Sequence, residues 1–503
     1  MRRSIPAILV LVIVALLAVG SAPFASAQAQ SGSLSEQQRR TLNGYAADTW
    51  KSFVALADPQ TGLAADNVAV PSLERSGYTS PTNIGAYLWS TLAARDLQII
   101  TPAEARQRIG QTLATLAQME RSHGLFFNWY DPATAAKLTV WPPSGTPLHP
   151  FLSTVDNGWL AAALMMVANS VPQERDAANA ILADMDFGFF YHASNGLLYG
   201  GYWPEGTNEC NVGGYTCFDF GTLNTEPRIA SYIGIARGQL PATHYFKMWR
   251  TFPSTCDWGW QEMKPAGVTQ NYLGVDVFEG HYTYRGMNIV PSWGGSMFEA
   301  LMVTLFVPEA QWGPRSWGVN HPLYVEAQIE HGLNEANYGY WGFSPSNDPA
   351  GGYREYGVDP IGLNPDGYTS DEERTTVDYG FAADIAGDPP CRPAQPLPSH
   401  YGQGVVTPHA SFLALPFAPD AALQNLEKLR SNFDAYGPLG FYDAVNVSNG
   451  AVSKYELALD QGMIMAASVN ALRNERLQDY FTRGAVEQNV RPLLEMEQFT
   501  AGQ

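Results

Sequence analysis

Apolar residues recur at helical spacing through most of the chain and predict about twelve helices. They cover 36–56, 83–97, 103–122, 154–170, 173–185, 226–237, 296–306, 322–333, 409–415, 420–433, 455–472 and 475–497. Local signals mark several boundaries. Thr101-Pro102 reads as a helix start, Pro172 splits two helices, and Gly238 suits a helix end. Short turns alternate with long segments rich in Gly, Pro, Trp and Tyr at 123–152, 187–222, 251–294 and 337–406. Structureless loops of that length are usually functional or locally ordered. GLLYGGYW at 196–203 reads as a short β-hairpin within one of them. The pattern predicts an all-α fold, six helical hairpins closed into an (α/α)6 barrel. Long aromatic-rich loops and small hairpins would gather at one end.

The first residues read differently. Arg2 and Arg3 precede an apolar run from Ile8 to Val19, and small residues end in Ala25-Ser26-Ala27. A basic start, an apolar centre and an A-x-A site form a secretory signal, here 1–27. Residues 28–503 then read as one domain, without a composition shift that would mark a linker. No later apolar run reaches the roughly 18 to 20 residues of a membrane span. The expected product is exported, periplasmic or extracellular, without a membrane anchor, and monomeric.

Composition narrows the partner. The 503 residues carry a formal charge of −19, which disfavours nucleic acid and anionic lipid. With 12% aromatic residues, including 13 Trp and 25 Tyr, the chain suits a neutral polysaccharide or oligosaccharide. Export permits disulfides among Cys210, Cys217, Cys256 and Cys391. One of three connectivities pairs Cys210 with Cys217 and Cys256 with Cys391. No C-x-x-C or HExxH spacing occurs, so neither metal nor cofactor is expected.

Three carboxylates stand out. Glu226 opens the apolar segment LNTEPRIASYIGIARG, with Thr225 as a plausible cap. Asp460 interrupts the apolar run YELALDQGMIMAASVNAL, where a charge is costly unless it is paired or functional. Asp156 sits in the first turn predicted for STVDNGWL. Each has a structural reading as well, as a helix-start acid or a buried hydrogen-bonding group.

Eight blocks in order resemble the bacterial glucoamylase-like barrel proteins. The N-terminal ones are TSPTNIGAYLWSTLAARDL (79–97), FLSTVDNGWLAAALMMV (151–167), NTEPRIASYIGIARG (224–238) and SWGGSMFEALM (292–302). The C-terminal ones are YWGFSPSNDPAGGYREYGV (340–358), VVTPHASFLALPFAPDAALQNL (405–426), GFYDAVN (440–446) and ALDQGMIM (458–465). That group includes endo-β-1,2-glucanases and a barrel region of cyclic β-1,2-glucan synthases. The resemblance implies an (α/α)6 barrel and an inverting glycoside hydrolase, with Glu226 as general acid. It also makes Asp460 an important cleft residue and Asp156 a cleft carboxylate.

Two departures matter. Pro345 replaces a Glu that the synthase relatives carry in the GFSPSN block, which disfavours a retaining pair, and Pro227 follows Glu226 directly. General acid catalysis requires a carboxyl that keeps its proton. Burial favours that state, whereas a helix N-terminus opposes it. Glu456 is a rival to Asp460. Sugar-contact candidates are Asn83, Trp159, Glu299, Tyr282, Tyr284, Arg285, Trp293, Trp341 and Tyr442, each with a core or capping alternative. The expected activity is hydrolysis of β-glucan, foremost β-1,2-glucan. The alternatives are another polysaccharide or a non-catalytic glycan-binding barrel.

Overall fold

The computed structural model describes residues 34–206, 213–251, 265–363, 401–402 and 404–502. The helices are α1 (Glu36–Leu56), α2 (Pro81–Asp96), α3 (Pro102–Leu116), α4 (Thr154–Ser170) and α5 (Arg175–Asp184). They continue as α6 (Arg228–Ala236), α7 (His244–Lys247), α8 (Met297–Leu301), α9 (Glu309–Trp312) and α10 (Trp317–Glu330). The last are α11 (Pro408–Leu413), α12 (Pro419–Asn432), α13 (Ala458–Arg473), α14 (Arg476–Thr482) and α15 (Ala485–Met496). The expected signal segment 1–27 lies outside the described residues, as do Cys210, Cys256 and Cys391. The disulfide expectation, which also involves Cys217, therefore rests on residues that are not described. Among those that are, no helix is long and apolar enough to cross a membrane.

Two kinds of helix separate by side-chain pattern. α2, α4 and α13 are buried around most of their circumference, while α1, α3, α5 and α12 bury one face. A helix apolar all round must sit inside, and an amphipathic one can cover it. α2 packs on α4 and on α13, α4 packs on α6, and α11 packs on both α8 and α13. The step from α6 to α8 is bridged by Arg228, which donates to the carbonyls of Glu299 and Ala300 at 3.0 and 2.7 Å. Small residues permit these close contacts. A Cβ on Gly158 would meet Ala230 at 3.0 Å, and one on Gly462 would meet Ala86 at 2.9 Å.

Capping explains the sharp starts. Ser80, Thr101 and Ser153 accept the backbone N–H of Asn83, Glu104 and Asp156 at 3.2, 3.1 and 3.2 Å. Several expectations change. The run 455–472 begins as a strand, Tyr455–Leu457, paired with Asn67–Ala69, before α13 starts. The run 475–497 breaks between α14 and α15, where Gly484 has φ 77°. GLLYGGYW is not a self-paired hairpin. Leu197–Tyr199 pairs with Tyr191–His192 and Asp219–Phe220, whereas Gly201–Tyr202 pairs with Leu152–Ser153. A long hairpin, Ala266–Tyr272 with Val275–Tyr284, occupies a segment that carried no hairpin signal. One connected core extends from Leu42 to Ala501.

Candidate active site

The N-terminal ends of the inner helices converge on one cavity of about 830 Å³. α2 contributes Thr82 and Asn83, and α4 contributes Val155 and Asp156. Glu226 lines it from just before α6, and Leu457 and Leu459 from the start of α13. The hairpin Ser346–Asn347/Tyr353–Arg354 overhangs it with Asn347 and Tyr353. Helix N-termini favour negative charge, while burial disfavours it. The balance is settled residue by residue.

Glu226 stands in a turn rather than in the helix, because α6 begins at Arg228. Thr225 does not cap α6. Its hydroxyl donates to Glu299 Oε2 at 2.5 Å, and the Glu226 N–H donates to the same oxygen at 2.9 Å. Glu226 Oε2 accepts from Trp159 Nε1 at 2.6 Å. Burial, together with the Glu299 charge, pushes the Glu226 carboxyl well above the usual carboxylate range, and the Trp159 N–H opposes this. Asp156 and Glu355 add to the rise. Glu226 is thus a carboxyl whose surroundings favour its protonated form, with one edge on the cavity. Glu299 is raised to about 7, chiefly by burial.

Trp159 is fully buried, so its ring offers no face to a sugar, and its N–H is taken by Glu226. Its indole sits edge-on to Trp89, with ring centroids 6.2 Å apart, and 5.7 Å from Phe306. Asn83 also has a role other than the expected cap, since Ser80 caps α2. Its amide donates to Asp66 Oδ1 at 2.8 Å. Asp156 accepts from Thr82 Oγ1 at 2.6 Å and from Asn128 Nδ2 at 3.0 Å, and faces the cavity.

Asp460 is 3% exposed, in the first turn of α13. Burial raises it to about 7, opposed by a hydrogen bond with Asp443. His409 Nδ1 lies 3.0 Å from Asp460 Oδ2. Burial lowers His409 to about 4, so the ring is neutral and this contact is no ion pair. Its ring nitrogens bond Thr407 Oγ1 at 2.8 Å and Ser344 Oγ at 2.9 Å. Glu456, the rival, is fully buried on a strand whose neighbours Tyr455 and Leu457 face the cavity. Alternation along the strand turns Glu456 the other way.

The remaining sugar-contact candidates do not line the cavity. Tyr282 and Tyr284 are core side chains of the long hairpin, and the Tyr284 hydroxyl donates to Glu335. Arg285 sits at a turn and donates to Glu330 at 2.7 Å. Trp341 and Tyr442 are buried, and Trp293 lies on a short parallel strand pair with Gly362–Leu363. The aromatic loops were read correctly as rich in rings, but most of those rings complete the core. The cavity's own aromatic wall is Tyr78, Trp129 and Trp141. Ring centroids are 5.5 Å apart for Tyr78–Trp129, 4.4 Å for Tyr78–Trp141 and 5.5 Å for Trp129–Trp141. Asp66, Asp443, Glu355 and Tyr353 were not singled out either. They occupy loops and short strands, where no helical period flags a buried acid.

This constellation can be set beside known proteins. Residues 263–485 match the family described as putative glucoamylase. Residues 44–214 match a family described as a protein of unknown function. The cyclic beta-(1,2)-glucan synthase NdvB of Rhizobium meliloti is 24% identical over 92% of this chain. The chain spans only 19% of that protein's length. A putative glucoamylase structure from Bacteroides fragilis superposes with TM-score 0.64 at 18% identity, covering 92% of this chain and 98% of that one. The endo-beta-1,2-glucanase of Chitinophaga pinensis gives TM-score 0.61 at 16% identity, covering 92% and 98%. The beta-1,2-glucanase of Parabacteroides distasonis gives 0.67 at 16%, covering 91% and 60%. The resemblance carried by the eight sequence blocks therefore holds, and the helix-rich fold is shared with these structures.

Proposed function

We propose that this chain is an exported glycoside hydrolase that cleaves β-glucan, foremost β-1,2-glucan, with inversion. The carrying observation is Glu226, a carboxyl that burial keeps protonated while one edge faces an acid-lined cavity. Glu226 donates its proton to the glycosidic oxygen as the C1–O bond breaks. Water adds to the opposite face of the anomeric carbon, and its proton passes to Asp460. Asp156 and Asp66 bind sugar hydroxyls, and Tyr78, Trp129 and Trp141 offer faces for pyranose rings. The β-1,2 linkage is supported by the names of the solved relatives and by the synthase match. The finer fold reading, an (α/α)6 barrel in one domain over 28–503, is supported by the contacts α2–α4, α4–α6, α8–α11, α11–α13 and α13–α2, with the Arg228 hydrogen bonds spanning α6 to α8.

A second reading has its own observation. Glu355 lies close enough to raise both Glu226 and Glu299, so a second carboxylate survives near the acid although Pro345 removed another. Product analysis on linear and cyclic glucans, with Glu226→Gln as control, tests the activity. Release of short β-1,2-linked products that the control lacks supports the proposal. Activity of the control equal to wild type overturns the acid role, and no release from any glycan leaves a binding protein. Proton NMR of fresh product shows the α-anomer first under inversion. The β-anomer first assigns Glu355 as nucleophile.

A further inference from the structure

We propose that Asp443 and Asp460 hold one proton between them, with Asp443 its bearer, making Asp443 the positioning residue that keeps Asp460 free to accept from water. This rests on the hydrolase reading above. The geometry is specific. The two buried side chains are hydrogen-bonded to each other. Two carboxylates are both acceptors, so that bond requires a proton. Asp443 Oδ2 is occupied by the Asn347 N–H at 2.6 Å. Asp443 Oδ1 and Asp460 Oδ2 receive no other directed hydrogen bond from the described residues. His409 Nδ1 lies 3.0 Å from Asp460 Oδ2, but its directed hydrogen bond is with Thr407 Oγ1.

The proton's place follows from the surroundings. Asp460 is in the first turn of α13, whose N-terminal dipole favours the ionised form. Asp443 lies deep beside a strand, with no helix end to support a charge. Burial and the Asp460 charge push its carboxyl well above the usual range. The other groups facing the pair are neutral His409 from α11, Glu456 from Tyr455–Leu457, Asp66 from the segment before α2, and Tyr353 from the overhanging hairpin. Glu456 is itself raised by burial and by Asp443. The arrangement is a carboxylic acid bonded to a carboxylate, with like charges too close for both to ionise. Asp460 follows the cavity-lining Leu459 but does not itself line the cavity, so in turnover the water proton reaches it through a bridging water, the pair then holds two, and one is released to solvent.

Two variants and one spectrum test this. Asp443→Asn keeps a donor for Asp460 and removes the competing acid. The acid limb of kcat/KM should stay close to that of wild type, with kcat within about tenfold. Asp443→Leu removes the donor that lowers Asp460, so the acid limb should move to higher pH and kcat should fall about a hundredfold or more with little change in KM. The infrared difference between wild type and Asp443→Asn at neutral pH should show a deuterium-sensitive protonated carboxyl stretch. No such band, an acid limb displaced in Asp443→Asn, or one unmoved in Asp443→Leu, overturns the shared proton. If Asp443→Leu does not fold, the Asn variant and the spectrum still decide. If wild type cleaves no glucan, the hydrolase reading fails, yet the spectrum judges the pair on its own.

Discussion

Glu226, partly buried, and Asp460, buried, are both acids at inner-helix starts, yet their surroundings set them different tasks. Glu226 has one donor, the Trp159 indole, and carboxylate neighbours in Glu299, Asp156 and Glu355. Each neighbour makes ionisation harder, so the proton stays. Asp460 is held at about 7 by the Asp443 hydrogen bond acting against burial. The helix dipole also differs. Asp460 is inside the first turn of α13, whereas Glu226 sits before α6 with its own amide taken by Glu299. Different hydrogen-bond supply and different neighbouring charges separate an acid from a base.

The largest break in this comparison should come from removing either proton function. Glu226→Gln should lower kcat about a thousandfold or more with substrate binding retained; steady-state kinetics on the cleaved glucan checks it, and a loss below tenfold discards the acid role. Asp460→Asn should lower kcat about a hundredfold or more, yet stabilise the protein at pH 8. A carboxyl raised to about 7 favours folding below its unfolded value near 3.8 and loses that contribution as pH rises to about 7. Removing it should raise stability at pH 8 by ~1–3 kcal/mol, read by denaturant unfolding at pH 4 and pH 8. An equal change at both pH values contradicts the assigned titration.

Smaller changes sharpen the contrast by moving one limb alone. The base limb of kcat/KM belongs to Glu226. Trp159→Phe deletes a bond that lowers the Glu226 pKa, so this limb should move to higher pH. Glu299→Gln deletes a charge that raises it, so the limb should move to lower pH. Shifts in the same direction for both variants contradict the proposed environment of the acid. The smallest effect is on the aromatic wall. Trp141→Ala should raise KM for long glucans several-fold, about 1 kcal/mol, and leave kcat alone. An unchanged KM across chain lengths removes Trp141 from the binding surface.

Much of the helical pattern was legible. α1 and α4 match their predicted spans, since their apolar periods start after Ser35 and Ser153, which accept from the amides at N3. Glu226, Asp156 and Asp460 were visible as acids in apolar segments with family counterparts. The ligand-facing rings were not. Trp341 and Tyr442 looked like Trp129 and Trp141, because a ring in a Gly- and Pro-rich loop carries no local sign of which way it points. Asp66 and Asp443 were missed for a related reason, as single acids in irregular segments.

The sequence by itself determined most of the helical pattern and marked Glu226 and Asp460 as acids in apolar segments, because apolar periodicity is written in the chain. It places Glu226 as the first residue of a helix and Asp460 as interior to the run 455–472, whereas α6 begins at Arg228 and α13 at Ala458. Only the tertiary structure decided what those acids do. Trp159 is 67 residues from Glu226, and Asp443 meets Asp460 from a separate strand and loop. A carboxyl's proton affinity depends on burial and on the donors and charges within a few ångströms. Those neighbours arrive from distant segments, so local sequence names the acid and folding assigns its proton.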